Sequence, residues 1–265
     1  MDLIELPDHI YKYISFDNPY HRRIVFENEI FFSSVNKFND PFDSTIPLRY
    51  DAGSDEQIFN LFIKLLHKDN PNLTDDELKR IARNELSYDN VRGAKRIQNT
   101  INNQRKIIAS KFGIFSASHR YDSILMWSHY ANLHKGICVG FNGHKLQNFI
   151  ENDCAKEELI IVWDNVSYKS MYPVLNPFKL SDYELIMQPL LIKSEDWKYE
   201  EEIRFIVFDF PNKVVKLTQS IIDKIVLGCR TPTIHKEELK HYVVNKRIEI
   251  IQVTMKETGF GLDFN

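Results

Sequence analysis

Cysteine is scarce in this chain. Cys138, Cys154 and Cys229 are the only three among 265 residues, and no two of them stand at metal-ligand spacing. An odd number of scattered thiols supplies no disulfide framework and fits reduced cysteines in a cytoplasmic protein. Long apolar runs are missing as well. No segment approaches the ~20 apolar residues that a membrane-spanning helix needs, and the opening MDLIELPDHIYKYIS lacks the basic and apolar blocks of a secretory leader. The expectation is a soluble, cytoplasmic protein with no membrane partner. Positive charge is not in excess either: a net charge of -3 excludes a basic surface all round and leaves room only for a local patch. GxGxxG, GxxxxGKS/T and GxSxG are absent, which removes those phosphate loops and the α/β-hydrolase elbow. His129 and His134 lie five residues apart with no HExxH or CxxC beside them, so no metal centre is expected from them.

Apolar residues make up 43% of the chain, enough to bury one sizeable core. The expectation is a single α+β domain over residues 1–265 with a helical insertion at about 55–111. Strands are expected at Ile10–Ile14 and Glu29–Ser34, joined by a plain connection. A turn follows at FNDPFD, Phe38–Asp43, where Asn39 and Asp40 tie off backbone groups and Phe38 and Phe42 act as apolar anchors. From Asp55 to Lys111 helix formers take over. Ile58, Leu61, Phe62, Leu65 and Leu66 recur at helical spacing, and TDDE at Thr74–Glu77 has capping-box form. The same stretch carries a basic run, Arg92, Lys95, Arg96, Arg105, Lys106 and Lys111, that suits a solvated helical face or contact with nucleic acid. Strand character returns at Phe112–Ser116. A short helix is expected over Ser123–Leu133, closed by Gly136 before a strand at Ile137–Phe141. Strands at Leu159–Trp163, Ile203–Phe208, Val214–Leu217, Ile222–Leu227 and Ile248–Met255, with helices at Asp182–Leu191 and His235–Val243, complete a mixed, mostly antiparallel arrangement.

Two stretches concentrate unusual chemistry. LMWSHYANLHKGICVGF, Leu125–Phe141, packs Trp127, His129, Tyr130, His134 and Lys135 into a short span before an apolar strand. WKYEEEIRF, Trp197–Phe205, sets Glu200, Glu202 and Arg204 at period two. In a strand those three share one face while Tyr199, Ile203, Phe205 and Val207 take the other. Carboxylates beside so apolar a run are costly unless paired or used. The two stretches are expected to meet across one cleft, with FNDPFD folded back beside it.

YKYISF, FNDPFD, FSAS, MWSHYANLHKGICVGF and WKYEEEIRF, in this order between Tyr11 and Phe205, closely resemble the bacterial family known as domain of unknown function 2971. That name implies no activity. Three shorter elements also resemble, in their order, the mono-ADP-ribosyltransferases of the arginine-serine-glutamate kind: Tyr11-Lys12-Tyr13, then Ser116 and Ser118 of FSAS, then Glu200-Glu201-Glu202. This second resemblance implies an ADP-ribosyltransferase-like fold and a transferase that uses NAD to modify a protein or nucleic acid, in a phage-defence or toxin system. It implies that Lys12, with Tyr11 and Tyr13, stands where the family's arginine grips the cofactor. Ser116 or Ser118 would support the nicotinamide pocket, lined by Trp127, His129 and Tyr130. Glu202, aided by Glu200, would hold the ribose while the glycosidic bond breaks, and Asn39, Asp40, His134, Lys135 and Arg204 would position the substrate. The chain departs from the pattern in three places. Lysine lacks the arginine fork that suits a pyrophosphate, the Ser-x-Ser of FSAS lacks the family's usual Thr, and Arg204 stands where the family carries an aliphatic residue.

Two other functions fit the same residues. In a metal-dependent nuclease Asp43, Glu200 and Glu202 would hold Mg²⁺ against a phosphate gripped by Lys or Arg. In a non-catalytic sensing or interaction domain the polar cleft would bind a ligand without transforming it.

Overall fold

The computed structural model describes residues 4–218 and 220–265. In chain order its elements are β1 (His9–Ile14), α1 (Pro19–Phe26), β2 (Glu29–Phe32), α2 (Asp55–Asp69), α3 (Asp75–Glu85), α4 (Tyr88–Val91), α5 (Ala94–Lys111), β3 (Phe112–Ser118), α6 (Ile124–Tyr130), β4 (Ile137–Asn142), α7 (Gly143–Asn148), β5 (Ile161–Asn165), β6 (Ser167–Lys169), α8 (Asp182–Leu191), β7 (Ile192–Ser194), β8 (Glu202–Phe208), β9 (Lys213–Lys216), β10 (Ile222–Leu227), α9 (Thr233–Val243), β11 (Glu249–Met255) and β12 (Leu262–Phe264). They fall into two compact units. One takes the chain up to Lys37 with Lys111–Tyr168 and Glu195–Asn265; the other takes Phe38–Ser110 and Lys169–Ser194.

The first unit is organised on a sheet of order β12-β11-β10-β4-β1-β3-β8-β5. Its neighbouring strands are antiparallel except β10 and β11. That parallel pair is joined through α9, because two parallel strands cannot be linked by a hairpin. The class is α+β with a mostly antiparallel mixed sheet. Alternation along the strands assigns the two faces. Ile10, Ile14, Phe115, Ala117, Val139, Phe141, Ile203, Phe205 and Val207 enter the larger core with Phe16, Phe32 and Trp163. Tyr11, Tyr13, Cys138 and Val226 turn to the other face and pack with Met126, Trp127 and Ala131. Each large side chain so buried contributes about 1.5–3 kcal/mol.

Two segments of this unit differ from expectation. Residues expected as a plain connection form α1, which begins with Asn18 accepting from the Tyr20 N–H and with Pro19 at the first helical position. Both are helix-start signals; a helix of eight residues offers too little periodicity to stand out. The link from α6 to β4 is the other. Ala131 caps α6, and left-handed backbone falls on Asn132, Leu133 and His134, at φ 47°, 54° and 67°, not on Gly136. Non-glycine residues in that region cost about 1–3 kcal/mol each unless the surroundings hold them there. Here Leu133 N–H donates to the Ser128 carbonyl, His134 N–H to Trp127 and Gly136 N–H to Ala131, while the Asn132 amide donates to Asp17 at 2.9 Å. Gly136 is needed for space, since a Cβ there would overlap the backbone oxygens of Ile14 and Ala131.

In the second unit α2, α3, α4 and α5 fill the stretch expected to be helical, with capping boxes at Ser54–Gln57 and Thr74–Glu77. α8 has the expected bounds and a third capping box, Ser181 with Glu184. FNDPFD forms the turn its residues suggest, Asp40 Oδ1 accepting from the Phe42 N–H at 2.8 Å. Phe42 is not an anchor; it is 66% exposed. Beside the turn, Lys193 and Asp43 form an ion pair at 3.4 Å, both sealed from solvent. Ser44, left-handed at φ 53°, donates its hydroxyl to Asp43 at 3.0 Å.

Candidate functional site

β1, β3 and β8 are neighbours, and their register aligns Tyr11 with Ser118 and Ser118 with Glu202, while Ser116 pairs with Arg204. Residues directly opposite one another point to the same side of a sheet, so Tyr11, Ser116, Ser118, Glu202 and Arg204 share a face. Lys12 does not. Alternation turns it to the other face, where its ammonium lies 5.2 Å from the Phe115 ring centre and donates to the Ser116 carbonyl at 2.6 Å.

The period-two row expected for Glu200, Glu202 and Arg204 is broken. Glu195–Glu200 winds into a 3-10 turn, Glu201 takes φ 41°, and the strand starts at Glu202. Tyr199 is therefore not on the strand either. Hydrogen bonds to the end of β3 explain the break. The buried Ser118 hydroxyl donates to the Glu200 carbonyl at 2.6 Å and accepts from Arg120 N–H at 3.0 Å, and the His119 N–H donates to the Glu201 carbonyl. Ser118 thus ties the glutamate turn to the sheet.

Glu202 and Arg204 are buried, at 5% and 0% exposure. Arg204 Nε donates to Oε1 at 2.7 Å and Nη2 to Oε2 at 3.0 Å, the bidentate fork in which guanidinium and carboxylate match best. The Glu202 N–H donates to the Tyr168 hydroxyl at 2.8 Å. Glu200 is buried as well, and its Oε1 accepts from the Tyr130 hydroxyl at 2.6 Å. The two chemically rich stretches therefore meet, as expected. His129 adds to the contact, its ring 6.0 Å from Tyr199 and 6.5 Å from Trp197.

Residues 126–205 match the family model DUF2971, described as a protein of unknown function. The matched segment includes Tyr130, Glu200, Glu202 and Arg204, whereas β1 and β3 lie outside it. No curated protein and no solved structure matches the chain.

Within the matched segment, Trp127 is not available to a ligand. It is fully buried, its indole N–H donates to the Tyr121 carbonyl at 2.8 Å, and its ring meets Tyr13 edge-on at 5.2 Å. Tyr13 is buried with it, and burial pushes its phenol far above the ordinary range. The ring surface that remains accessible belongs to His129, which is exposed, and to the half-buried Tyr130, Trp197 and Tyr199. Lys135 is exposed. Asn39 and Asp40 belong to the second unit. Sequence reasoning passes over Arg120 and Tyr168. Arg120 grips Asp122 at 2.8 and 3.1 Å and Glu201 at 3.0 Å, which holds the Asp122 carboxyl below its usual range. The SHRYD stretch carries that pairing in its Arg-x-Asp spacing; nothing local marks Tyr168. Among the described residues no group of three or more His, Cys, Asp or Glu could hold a metal ion, and no helix is long and apolar enough to cross a membrane.

His134 braces the left-handed turn. Its ring stacks over Trp127 at 6.4 Å, and its Nε2 lies 3.0 Å from the Ser128 hydroxyl. Burial, reinforced by Arg230, lowers its pKa below the ordinary 6.5. A histidine whose pKa is lower in the fold takes up a proton on unfolding, so stability falls as pH drops below the unfolded value and stops falling at the folded one. The urea midpoint should decline less steeply between about pH 7 and pH 5 for His134→Gln than for the parent. Parallel declines would show that His134 does not contribute to acid sensitivity.

Proposed function

We propose that the protein is a mono-ADP-ribosyltransferase-like enzyme that uses NAD to modify a protein or nucleic acid. The observation supporting this reading is the row Tyr11, Ser118, Glu202. The three segments whose order resembles that family occupy adjacent strands in register, on one face of the sheet. In this reading Glu202 accepts a hydrogen bond from a ribose hydroxyl, and its charge offsets the positive charge that develops on the sugar as the bond to nicotinamide breaks. Arg204 is a positioning residue that holds the carboxylate in one orientation. Glu200, set by Tyr130, flanks it. His129, Trp197 and Tyr199 offer the stacking surface that Trp127 cannot, and Lys12 takes no part. The nuclease reading has no comparable support, since Asp43, one of its three acids, belongs to the second unit and is paired there with Lys193. A binding-only domain is the second reading. The Arg204 fork favours it, because a carboxylate already matched by a guanidinium has less charge to offer a developing cation.

Incubation with NAD labelled in nicotinamide and in adenylate, with and without Mg²⁺, separates these. Glu202→Gln should lower nicotinamide release at least ~100-fold, about 2.7 kcal/mol of barrier. Glu201→Gln should keep most activity, since that carboxylate is exposed and pairs with Arg120 on the surface. Near-UV circular dichroism checks that both variants stay folded. Equal losses would make the effect structural. Absence of release from the unaltered protein would leave the binding-only domain.

A further inference from the structure

We infer that the outer face of α5 docks the sugar-phosphate backbone of a nucleic acid. From Asn90 to Tyr121 the sequence holds no Asp or Glu and seven Lys or Arg, in a chain whose net charge is -3. α5 lies inside this stretch. Helical spacing gathers Lys95, Gln98, Asn99, Asn102, Arg105 and Lys106 on one face, and all six are exposed. The opposite face is turned inward: Ile97, Thr100 and Ile101 line a cavity of about 270 Å³ with Ile58, Leu61 and Phe62 of α2.

Among the described residues, half of the other exposed or half-exposed arginines are matched. Arg22, Arg23, Arg49, Arg92 and Arg120 each contact a carboxylate. Among the described residues Lys95, Arg105 and Lys106 are in no such pair. Cations held without acids, interleaved with amides that both donate and accept, suit phosphate and sugar oxygens. A protein partner would require an apolar centre to the contact, and this face has none. Lys95 and Lys106 stand eleven residues apart, about 16 Å along the axis. That span covers about five phosphates of one duplex strand at ~3.4 Å each. The inference is independent of the NAD chemistry.

Fluorescence anisotropy of labelled RNA, single-stranded DNA and duplex DNA, with the whole chain and no NAD, tests it. The logarithm of the affinity should fall with that of salt at a slope of about -2 to -3, as three neutralised phosphates give. The variant Lys95→Gln/Arg105→Gln/Lys106→Gln should bind at least ~10-fold more weakly near ~0.1 M salt and lose most of that slope. Lys240→Gln/Arg247→Gln on and beyond α9 should bind as the parent does. Far-UV circular dichroism confirms that α5 persists in the triple variant, and the order of affinities identifies RNA, single strand or duplex as the source. Unchanged affinity in the triple variant overturns the inference. So does binding to heparin or to acidic phospholipid vesicles with the affinity and slope seen for nucleic acid.

Discussion

Arg204→Met should destabilise the protein by about 3–5 kcal/mol, the loss expected when one partner of a buried ion pair is removed and the other charge stays behind. Arg204 is fully buried and makes two short bonds to Glu202. Its removal leaves the Glu202 carboxylate without that fork in a site only 5% exposed to solvent. Arg204→Lys should fall between parent and Arg204→Met, because an ammonium keeps the charge and loses the planar fork. Urea denaturation with an unchanged slope and a lowered midpoint is the readout. A midpoint within error of the parent for Arg204→Met would show that the pair adds no stability, and would leave orientation of Glu202 as its role.

Trp127→Ala should cost about 3–5 kcal/mol, the range for truncating a large buried aromatic. The indole fills the space between Tyr13 and His134, and its N–H satisfies the Tyr121 carbonyl. Truncation opens a cavity and orphans an acceptor. The effect should extend beyond stability, since the Trp127 carbonyl accepts from His134 N–H within the left-handed turn, next to Tyr130 and its bond to Glu200. Trp127→Phe keeps most of the volume without the donor and should cost less than half as much. If Trp127→Ala unfolds at the parent's midpoint, the segment around α6 does not form part of the cooperative core.

The fold was largely legible where periodicity was long or repeated. Helical spacing from Ile58 to Leu66, the TDDE cap and the alternation of Ile203, Phe205 and Val207 each point to the element that forms, because side-chain direction there follows from backbone period alone. Short elements were hidden. α1 has start signals in Asn18 and Pro19 and too few apolar positions to show a period. At the site, the concentration of polar and aromatic residues in two stretches correctly pointed to their meeting, which the bond from Tyr130 to Glu200 makes.

What the sequence determined by itself is the composition of the site: two glutamates, an arginine, two serines and a set of aromatic rings on segments rich in strand formers. What only the tertiary structure decided is which of these act together. Period two predicts one face for Glu200, Glu202 and Arg204, yet Ser118 pulls the Glu200 carbonyl to the end of β3, and the strand cannot begin until Glu202. Gly136 looks like a helix cap, yet its missing Cβ makes room for the backbone of β1 and of the turn before it. Lys12 sits beside two tyrosines in sequence and on the opposite face of the sheet from them. Hydrogen bonds and close approaches between residues distant in the chain settle such choices, and local patterns carry no record of them.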